Sequence, residues 1–193
     1  MEASRDSYFA QNRAATASYY LADPDNPFQQ SGRGCGQERW DETRRVFADL
    51  VDRPGSYLDV GCANGLLLQS LAEWVTDHRL DLFGVDFVAG LVALASERLP
   101  DAVIWEANAW DWDPPQRFTH VRTNLEYVPE ADWPELVRRH ARWVEPGGRL
   151  VVAHYPDRFE SPVDVVRVIA EAGLQAAGAV PVDRNRVAWW DSR

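Results

Sequence analysis

The chain has 193 residues, of which 46% are apolar and 26% are charged, a composition typical of a globular protein and a length typical of one domain. Thirty acidic and twenty basic residues leave a formal net charge of −10, which repels a phosphate backbone and argues against a nucleic-acid partner. The N-terminus lacks a secretion signal, and no apolar run approaches the ~18 residues of a membrane-spanning helix. We therefore expect a cytoplasmic protein without a membrane partner, and free thiols at Cys35 and Cys62.

The first part of the chain contains helical and loop segments before any predicted strand. Residues 1–22 mix polar residues with scattered aromatic ones, which favours one or two short helices. Residues 23–37 concentrate proline, glycine, aspartate and asparagine, as is typical of a loop. Apolar residues at helical spacing then predict a helix over 38–52, which Pro54 and Gly55 end.

Strands and helices alternate in the rest of the chain. Such alternation indicates a parallel, doubly wound sheet, and two final extended runs joined by a polar turn indicate an antiparallel hairpin. The predicted strands are 56–60, 80–85, 102–106, 118–123, 149–154, 174–180 and 187–190, and the predicted helices are 66–76, 88–98, 132–144 and 163–172.

We divide the chain into an N-terminal lid, residues 1–37, and a main domain, residues 38–193. The lid carries four aromatic residues within 1–22 and ends in the glycine-rich stretch 32–36, which would act as a hinge. The alternative is that the aromatic residues of this segment complete the hydrophobic core.

The strongest motif is an apolar strand that runs directly into a glycine-containing turn and then a helix. It extends from Tyr57 to Gly65 and continues into three leucines. Glycines let the backbone turn sharply and approach a ligand, and the helix start offers free N–H groups. The Gly-x-Gly-x-x-Gly fingerprint of dinucleotide sites is absent, so a pyrophosphate is not the expected ligand. A tight turn without a ligand is the alternative.

A second motif places a carboxylate at the end of the next strand. Asp86 follows 21 residues after Gly65, where its oxygens can accept hydrogen bonds from both hydroxyls of a ribose. Together the two motifs fit any cofactor that contains adenosine.

The residues from Leu58 to Gly65 resemble the first motif of class I S-adenosylmethionine-dependent methyltransferases. Gly84-Val85-Asp86 resembles their second motif, and the stretch from Glu145 to Val152 resembles the Pro-Gly-Gly turn before their fifth strand. The resemblance covers residues 57–154. It implies a three-layer α/β sandwich whose seven-stranded, mostly parallel sheet has the order 3-2-1-4-5-7-6, with an antiparallel last strand. It also implies S-adenosylmethionine as cofactor, and the acidic charge favours a small-molecule acceptor.

The resemblance further implies roles for individual residues in cofactor binding. Asp86 would bind the ribose, and Asp59 would hold the methionine ammonium. The third motif matches only in part, since Asn108 stands where the family usually has an acid. Residues implied to line the methionine part are Gly61, Cys62, Ala63 and Gly65, and those implied around the adenine are Phe87, Asn108, Ala109 and Trp110. Arg33 would either reach the cofactor carboxylate or remain an exposed arginine.

The implied reaction is an in-line displacement in which an acceptor atom attacks the sulfonium methyl group. A general base is needed only if that acceptor holds a proton. Asn124 and Glu126 are expected near the reacting centre. The candidate bases are His154, Glu126 and Tyr127, with Tyr19 or Tyr20 from the lid. His78, His120 and His140 are expected at the surface, and no cluster has metal-ligand spacing.

Two other functions remain open at this point. A nicotinamide-dependent oxidoreductase is the alternative enzyme, although the missing dinucleotide fingerprint argues against it. A non-catalytic cofactor-binding or accessory protein is the other, because few residues are obvious catalysts. The sequence leaves monomer and homodimer open and does not identify the acceptor.

Overall fold

The computed structural model describes residues 5–32, 34, 36–155, 163–183 and 185–193. One seven-stranded sheet has the order β3-β2-β1-β4-β5-β7-β6. Strands β1 to β5 pair in parallel, and β7 runs antiparallel to both of its neighbours. This confirms the predicted fold class and strand order. The strands are β1 Gly55–Val60, β2 Leu80–Asp86, β3 Val103–Glu106, β4 Phe118–Asn124, β5 Val144–His154, β6 Gly178–Val182 and β7 Asn185–Asp191.

Helices cover both faces of the sheet. Strand β1 shows why, because Leu58 and Val60 pack into one core while Tyr57, which precedes them, packs into the other. No helix in the described ranges is long and apolar enough to cross a membrane. The helices are α1 Arg5–Tyr20, α2 Gln29–Gly32, α3 Gln37–Arg44, α4 Val46–Asp49, α5 Leu66–Trp74, α6 Ala89–Arg98, α7 Trp133–Ala141 and α8 Val165–Glu171, and 3₁₀ turns occupy Leu125–Tyr127 and Glu130–Asp132.

The first part of the chain is more helical than its composition indicates. Residues 23–37 contain α2 within the predicted loop, because the Asn26 side chain accepts hydrogen bonds from the amides of Phe28 and Gln29, both at 3.1 Å. The helix predicted over 38–52 is divided into α3 and α4. A side-chain cap can therefore start a helix in a segment rich in turn residues.

The fifth strand begins five residues earlier than predicted. Its pairing with β4 starts at Val144, shifts register, and resumes at Arg149. Gly147 adopts a left-handed φ of 79° within the intervening turn. The glycine turn is thus an irregularity inside a longer strand, and it does not mark the beginning of that strand.

Two histidines expected at the surface are buried, so that expectation was wrong. His140 is fully buried, its Nδ1 lies 3.0 Å from Thr123 Oγ1, and its ring lies 4.1 Å from that of Trp143. His120 stacks on Tyr57 inside the sheet layer. His140 is buried because it lies one turn after Leu136, on the face of α7 that packs against the sheet.

Candidate functional site

A cavity of about 720 Å³ lies at the carboxyl ends of β1, β2 and β4. Loops that follow these strands form its walls, and α1 contributes to its lining. Open parallel sheets bind their ligands at this position. The predicted site residues that line the cavity are Asp59, Gly61, Cys62, Ala63, Asp86, Phe87, Asn108, Ala109, Trp110, Asn124, Glu126 and Tyr127.

The turn after β1 has the conformation that its glycines predict. Gly61 and Gly65 adopt left-handed φ angles of 69° and 76°, and Ala63 has a φ of 50°. A Cβ atom at Gly61 would lie 2.2 Å from the Tyr127 hydroxyl oxygen. The amides of Gly61 and Cys62 both donate to the Val85 carbonyl, at 2.8 and 3.1 Å. The turn is therefore held against the end of β2, and only glycine fits at position 61.

Asp86 also accepts hydrogen bonds from backbone amides, which the sequence analysis did not predict. Its Oδ2 accepts the Ala63 amide at 2.9 Å, and its Oδ1 accepts the Val88 amide at 3.0 Å. Burial raises the pKa of the Asp86 carboxyl to about 6, although the amide donors oppose that shift. Each carboxylate oxygen keeps a further acceptor position. Asp86 thus fixes the turn and still faces the cavity.

Asp59 is paired with an arginine that the sequence analysis missed. Arg122 Nη1 lies 2.9 Å from Asp59 Oδ1, and both side chains are almost completely buried. Arg122 also donates to the Tyr155 hydroxyl at 3.2 Å. The signal was Arg122 itself, the single arginine of strand β4, which the parallel register places beside Asp59. A buried charge of this kind requires a partner.

A second arginine of the cavity was also missed. The Arg44 guanidinium lies 4.3 Å from the Tyr155 ring centroid and 5.2 Å from that of Trp40. It donates to Thr43 Oγ1 at 3.0 Å, and it forms no ion pair with any acid in the described ranges. Trp40 and Arg44 are four residues apart on α3 and therefore share one face of that helix. Arg44 is a cation that can receive an anionic group.

Two of the candidate bases, Tyr127 and Glu126, have different environments in the cavity. The Tyr127 hydroxyl donates to the Val60 carbonyl at 2.7 Å and accepts from Asn124 at 2.8 Å, and burial raises its pKa well above the ordinary value. Glu126 accepts the Tyr155 amide, and burial raises its pKa as well. Its Oε2 is buried and has no partner among the described residues. The Tyr127 hydroxyl is thus engaged as a donor, whereas one oxygen of Glu126 accepts no hydrogen bond from the described residues. The other candidates, Tyr19 and Tyr20, also line the cavity.

Three predicted site residues are not part of the described cavity lining. His154 packs edge-on against Trp133, because the two-residue period of β5 directs it away from the side where Tyr155 lines the cavity. Gly65 is the residue directly before α5, and a Cβ atom at this position would lie 3.2 Å from Ala95 Cβ of α6. Arg33 lies outside the described residues.

Helix α1 lines the cavity beside Phe87 and Trp110. The Arg13 guanidinium lies 5.5 Å from the Phe87 ring, and the Arg5 guanidinium lies 4.6 Å from the Trp110 ring. Arg5 also forms two hydrogen bonds to Asp132, at 2.9 and 3.1 Å. Phe9 joins the core, whereas the other aromatic residues of this segment are only partly buried or exposed. The contacts of this segment thus support both the lid hypothesis and the alternative that its aromatic residues complete the hydrophobic core.

Comparison with known proteins places these features in a family. A family model described as "Methyltransferase domain" matches residues 58–148. Trans-aconitate 2-methyltransferase of Rhodopseudomonas palustris is 31% identical over 130 residues, which cover 67% of this chain and 50% of that protein. The protein of the same name from Yersinia pseudotuberculosis is 30% identical over 151 residues, which cover 72% and 57%. The chain spans about half the length of the curated relatives that it matches.

Solved structures with this fold include several methyltransferases. The 1,6-didemethyltoxoflavin-N1-methyltransferase of Burkholderia thailandensis has a TM-score of 0.75 at 15% identity, covering 100% of this chain and 92% of that one. The N-methyltransferase NodS of Bradyrhizobium japonicum has a TM-score of 0.69 at 16% identity, covering 93% and 97%. At these identities the likeness concerns the fold. Together with the motifs and the matched family, it places the chain in the class I S-adenosylmethionine-dependent methyltransferases.

Proposed function

We propose that this protein transfers the methyl group of S-adenosylmethionine to a small-molecule acceptor. The observation that carries the proposal is one cavity in which the left-handed turn 61–63, the Asp86 carboxylate and the Arg44 guanidinium, which forms no ion pair within the described residues, meet. The cavity volume of about 720 Å³ falls within the range of small-molecule sites.

The residues of the adenosine side fit a nucleoside. Asp86 retains acceptor positions for ribose hydroxyls beyond its two amide bonds. The Asn108 Oδ1 accepts the Trp110 amide at 3.1 Å, which leaves its Nδ2 to donate to an adenine ring nitrogen. The rings of Phe87 and Trp110 flank this region and supply flat apolar surface.

The methionine side offers one carboxylate and one cation in the same cavity. Asp59 and Arg44 both line it, and they match the ammonium and the carboxylate of an amino acid in zwitterionic form. Arg44 would thus bind the cofactor carboxylate, which was one of the two roles expected for Arg33. The sulfonium of the cofactor supplies the activated methyl group, and the residues of the site orient and shield it.

An acceptor whose attacking atom carries no proton needs no base from this site. Of the candidate bases, Tyr127 donates its own proton to the Val60 carbonyl and His154 lies outside the described cavity lining, whereas Glu126, Tyr19 and Tyr20 line the cavity. A carboxylate oxygen is already ionised at neutral pH and needs no base. The curated relatives named above are trans-aconitate methyltransferases, so carboxylic acids are the first acceptor class to test.

The proposal is tested by calorimetric binding of S-adenosylmethionine, S-adenosylhomocysteine and NAD, followed by assays for S-adenosylhomocysteine production. We expect binding of both sulfur ligands, no binding of NAD, and turnover with trans-aconitate or another small carboxylic acid. Binding without turnover across acids, amines and phenols would support a non-catalytic role. Binding of NAD alone would support an oxidoreductase.

A further inference from the structure

A buried pair of side-chain amides lies outside the cavity lining, between the turn after β1 and the N-terminal segment. Asn64 lies within the turn that follows β1, and Gln30 lies on α2. Both are buried, with 0% and 3% of their surface exposed. Buried amides are costly unless they are fully hydrogen-bonded, so their partners define one arrangement.

Asn64 uses all of its hydrogen-bonding groups. Its Oδ1 accepts the Leu66 amide at 3.2 Å, at the start of α5. Its Nδ2 donates to the Pro27 carbonyl and to Gln30 Oε1, both at 3.0 Å. One side chain therefore joins the turn, the following helix and the N-terminal segment.

Gln30 and its neighbour carry the connection on to α1. Gln30 Nε2 donates to the carbonyls of Asp23 and Pro24, at 3.3 and 2.9 Å. Gln29 Nε2 donates to the Tyr19 carbonyl at the end of α1, at 3.0 Å. Side-chain hydrogen bonds of the adjacent residues Gln29 and Gln30 thus connect the turn after β1 to the helix that covers the cavity.

We propose that Asn64 and Gln30 are positioning residues that couple cofactor binding in the turn to the placement of α1. Asn64 stands between Ala63 and Gly65, both of which have left-handed φ angles, so the conformation of the turn sets the direction of its amide. A ligand that favours this conformation also favours the bond to Gln30. Such coupling is reciprocal, since a well-placed α1 then raises the affinity of the turn for its ligand. The inference rests on the proposed function.

The test replaces Gln30 by methionine, which keeps the shape and removes the amide. The matched control is Gln69→Met, because Gln69 lies on α5 just after the turn, does not line the cavity, and accepts Arg98 Nη1 at 3.0 Å. Calorimetry measures S-adenosylhomocysteine affinity, limited proteolysis measures cleavage within residues 5–32 with and without that ligand, and thermal unfolding measures stability.

We expect Gln30→Met to weaken ligand affinity by about fivefold or more, the size of a typical coupling between sites. It should also speed cleavage of residues 5–32. We expect S-adenosylhomocysteine to slow this cleavage in the wild type and to have no such effect in the variant. Gln69→Met should behave like the wild type in both assays. Wild-type affinity together with wild-type cleavage in Gln30→Met would overturn the proposal.

A second variant covers the case in which Gln30→Met does not fold. Gln29→Met removes only the bond to α1 and leaves the buried pair intact. It should also speed cleavage of α1, and unchanged cleavage would count against the coupling. If the wild type binds no sulfur ligand, the proposed function fails, whereas cleavage of the ligand-free variants still decides whether the amide pair positions α1.

Discussion

At the scale of single residues, Asp86 holds the turn through two backbone amides and is expected to bind the ribose. Asp86→Asn preserves the shape, but it removes the charge that strengthens hydrogen bonds from ribose hydroxyls and replaces one of the two oxygens that accept the Ala63 and Val88 amides by an NH2 group. We expect S-adenosylhomocysteine affinity to fall by about tenfold, or about 1.4 kcal/mol, in a variant that still folds. Calorimetry measures the affinity, and Asp81→Asn on the exposed part of β2 is the control. Unchanged affinity in the folded variant would remove the ribose assignment.

The same carboxyl should make binding depend on pH. Burial raises the pKa of Asp86 to about 6, so the carboxylate becomes protonated as the pH falls through that value. Its folded pKa of about 6 lies above the unfolded value of 3.8, so stability falls as the pH rises from about 3.8 to about 6, while the carboxylate present above pH 6 supplies the acceptor that the ribose needs. We expect affinity to decrease on acidification through about pH 6 in the wild type, and this decrease should be absent in Asp86→Asn.

Arg44 is predicted to recognise the carboxylate of the cofactor. Arg44→Gln should weaken S-adenosylhomocysteine binding by about tenfold, since a hydrogen bond to a charged group contributes about 1.5–3 kcal/mol. Binding of 5′-methylthioadenosine, which lacks the amino-acid part, should not change. Arg45→Gln is the control, because the Arg45 guanidinium lies over Trp74, which does not line the cavity. Equal losses for both ligands would show that Arg44 acts on the structure of the whole site.

At the scale of elements, Tyr127 joins the end of β1 to the 3₁₀ turn after β4. Tyr127→Phe removes two hydrogen bonds, to Val60 and from Asn124, and should lower the free energy of unfolding by roughly 1–3 kcal/mol. The pH profile of turnover should keep its shape, because the hydroxyl donates its proton and its pKa is raised by burial. Urea unfolding and initial rates measure the two effects. Loss of a limb in which turnover rises with pH would instead identify Tyr127 as the base.

At the scale of the whole molecule, His140 links stability to pH. Burial lowers the pKa of His140 from 6.5 to about 3, so the unfolded chain binds a proton that the folded chain excludes between these values. Stability should therefore fall on acidification within this range, by up to about 1.4 kcal/mol for each pH unit. Urea unfolding at several pH values should show a smaller slope for His140→Gln than for the wild type. Identical slopes would mean that His140 is protonated in the fold.

The sequence by itself determined the elements and the main parts of the site. Strand alternation and the glycine turn are local signals, and three motifs in order implied the sheet order that the structure has. Residues directly after β1 and β2, such as Gly61 and Asp86, line the cavity because parallel strands end at the same edge. These features depend only on neighbours in the chain and on a known topology.

Only the tertiary structure decided which distant residues meet. The Asp59–Arg122 pair depends on the register between β1 and β4, and the amide pair of Asn64 and Gln30 joins segments 34 residues apart. The direction of His154 depends on which face of β5 packs against Trp133. Composition and periodicity carry no information on such contacts, since they arise from the packing of elements that are remote in sequence. The physical reason is that a buried polar or charged group is costly unless it is paired, and the fold decides which group lies beside it.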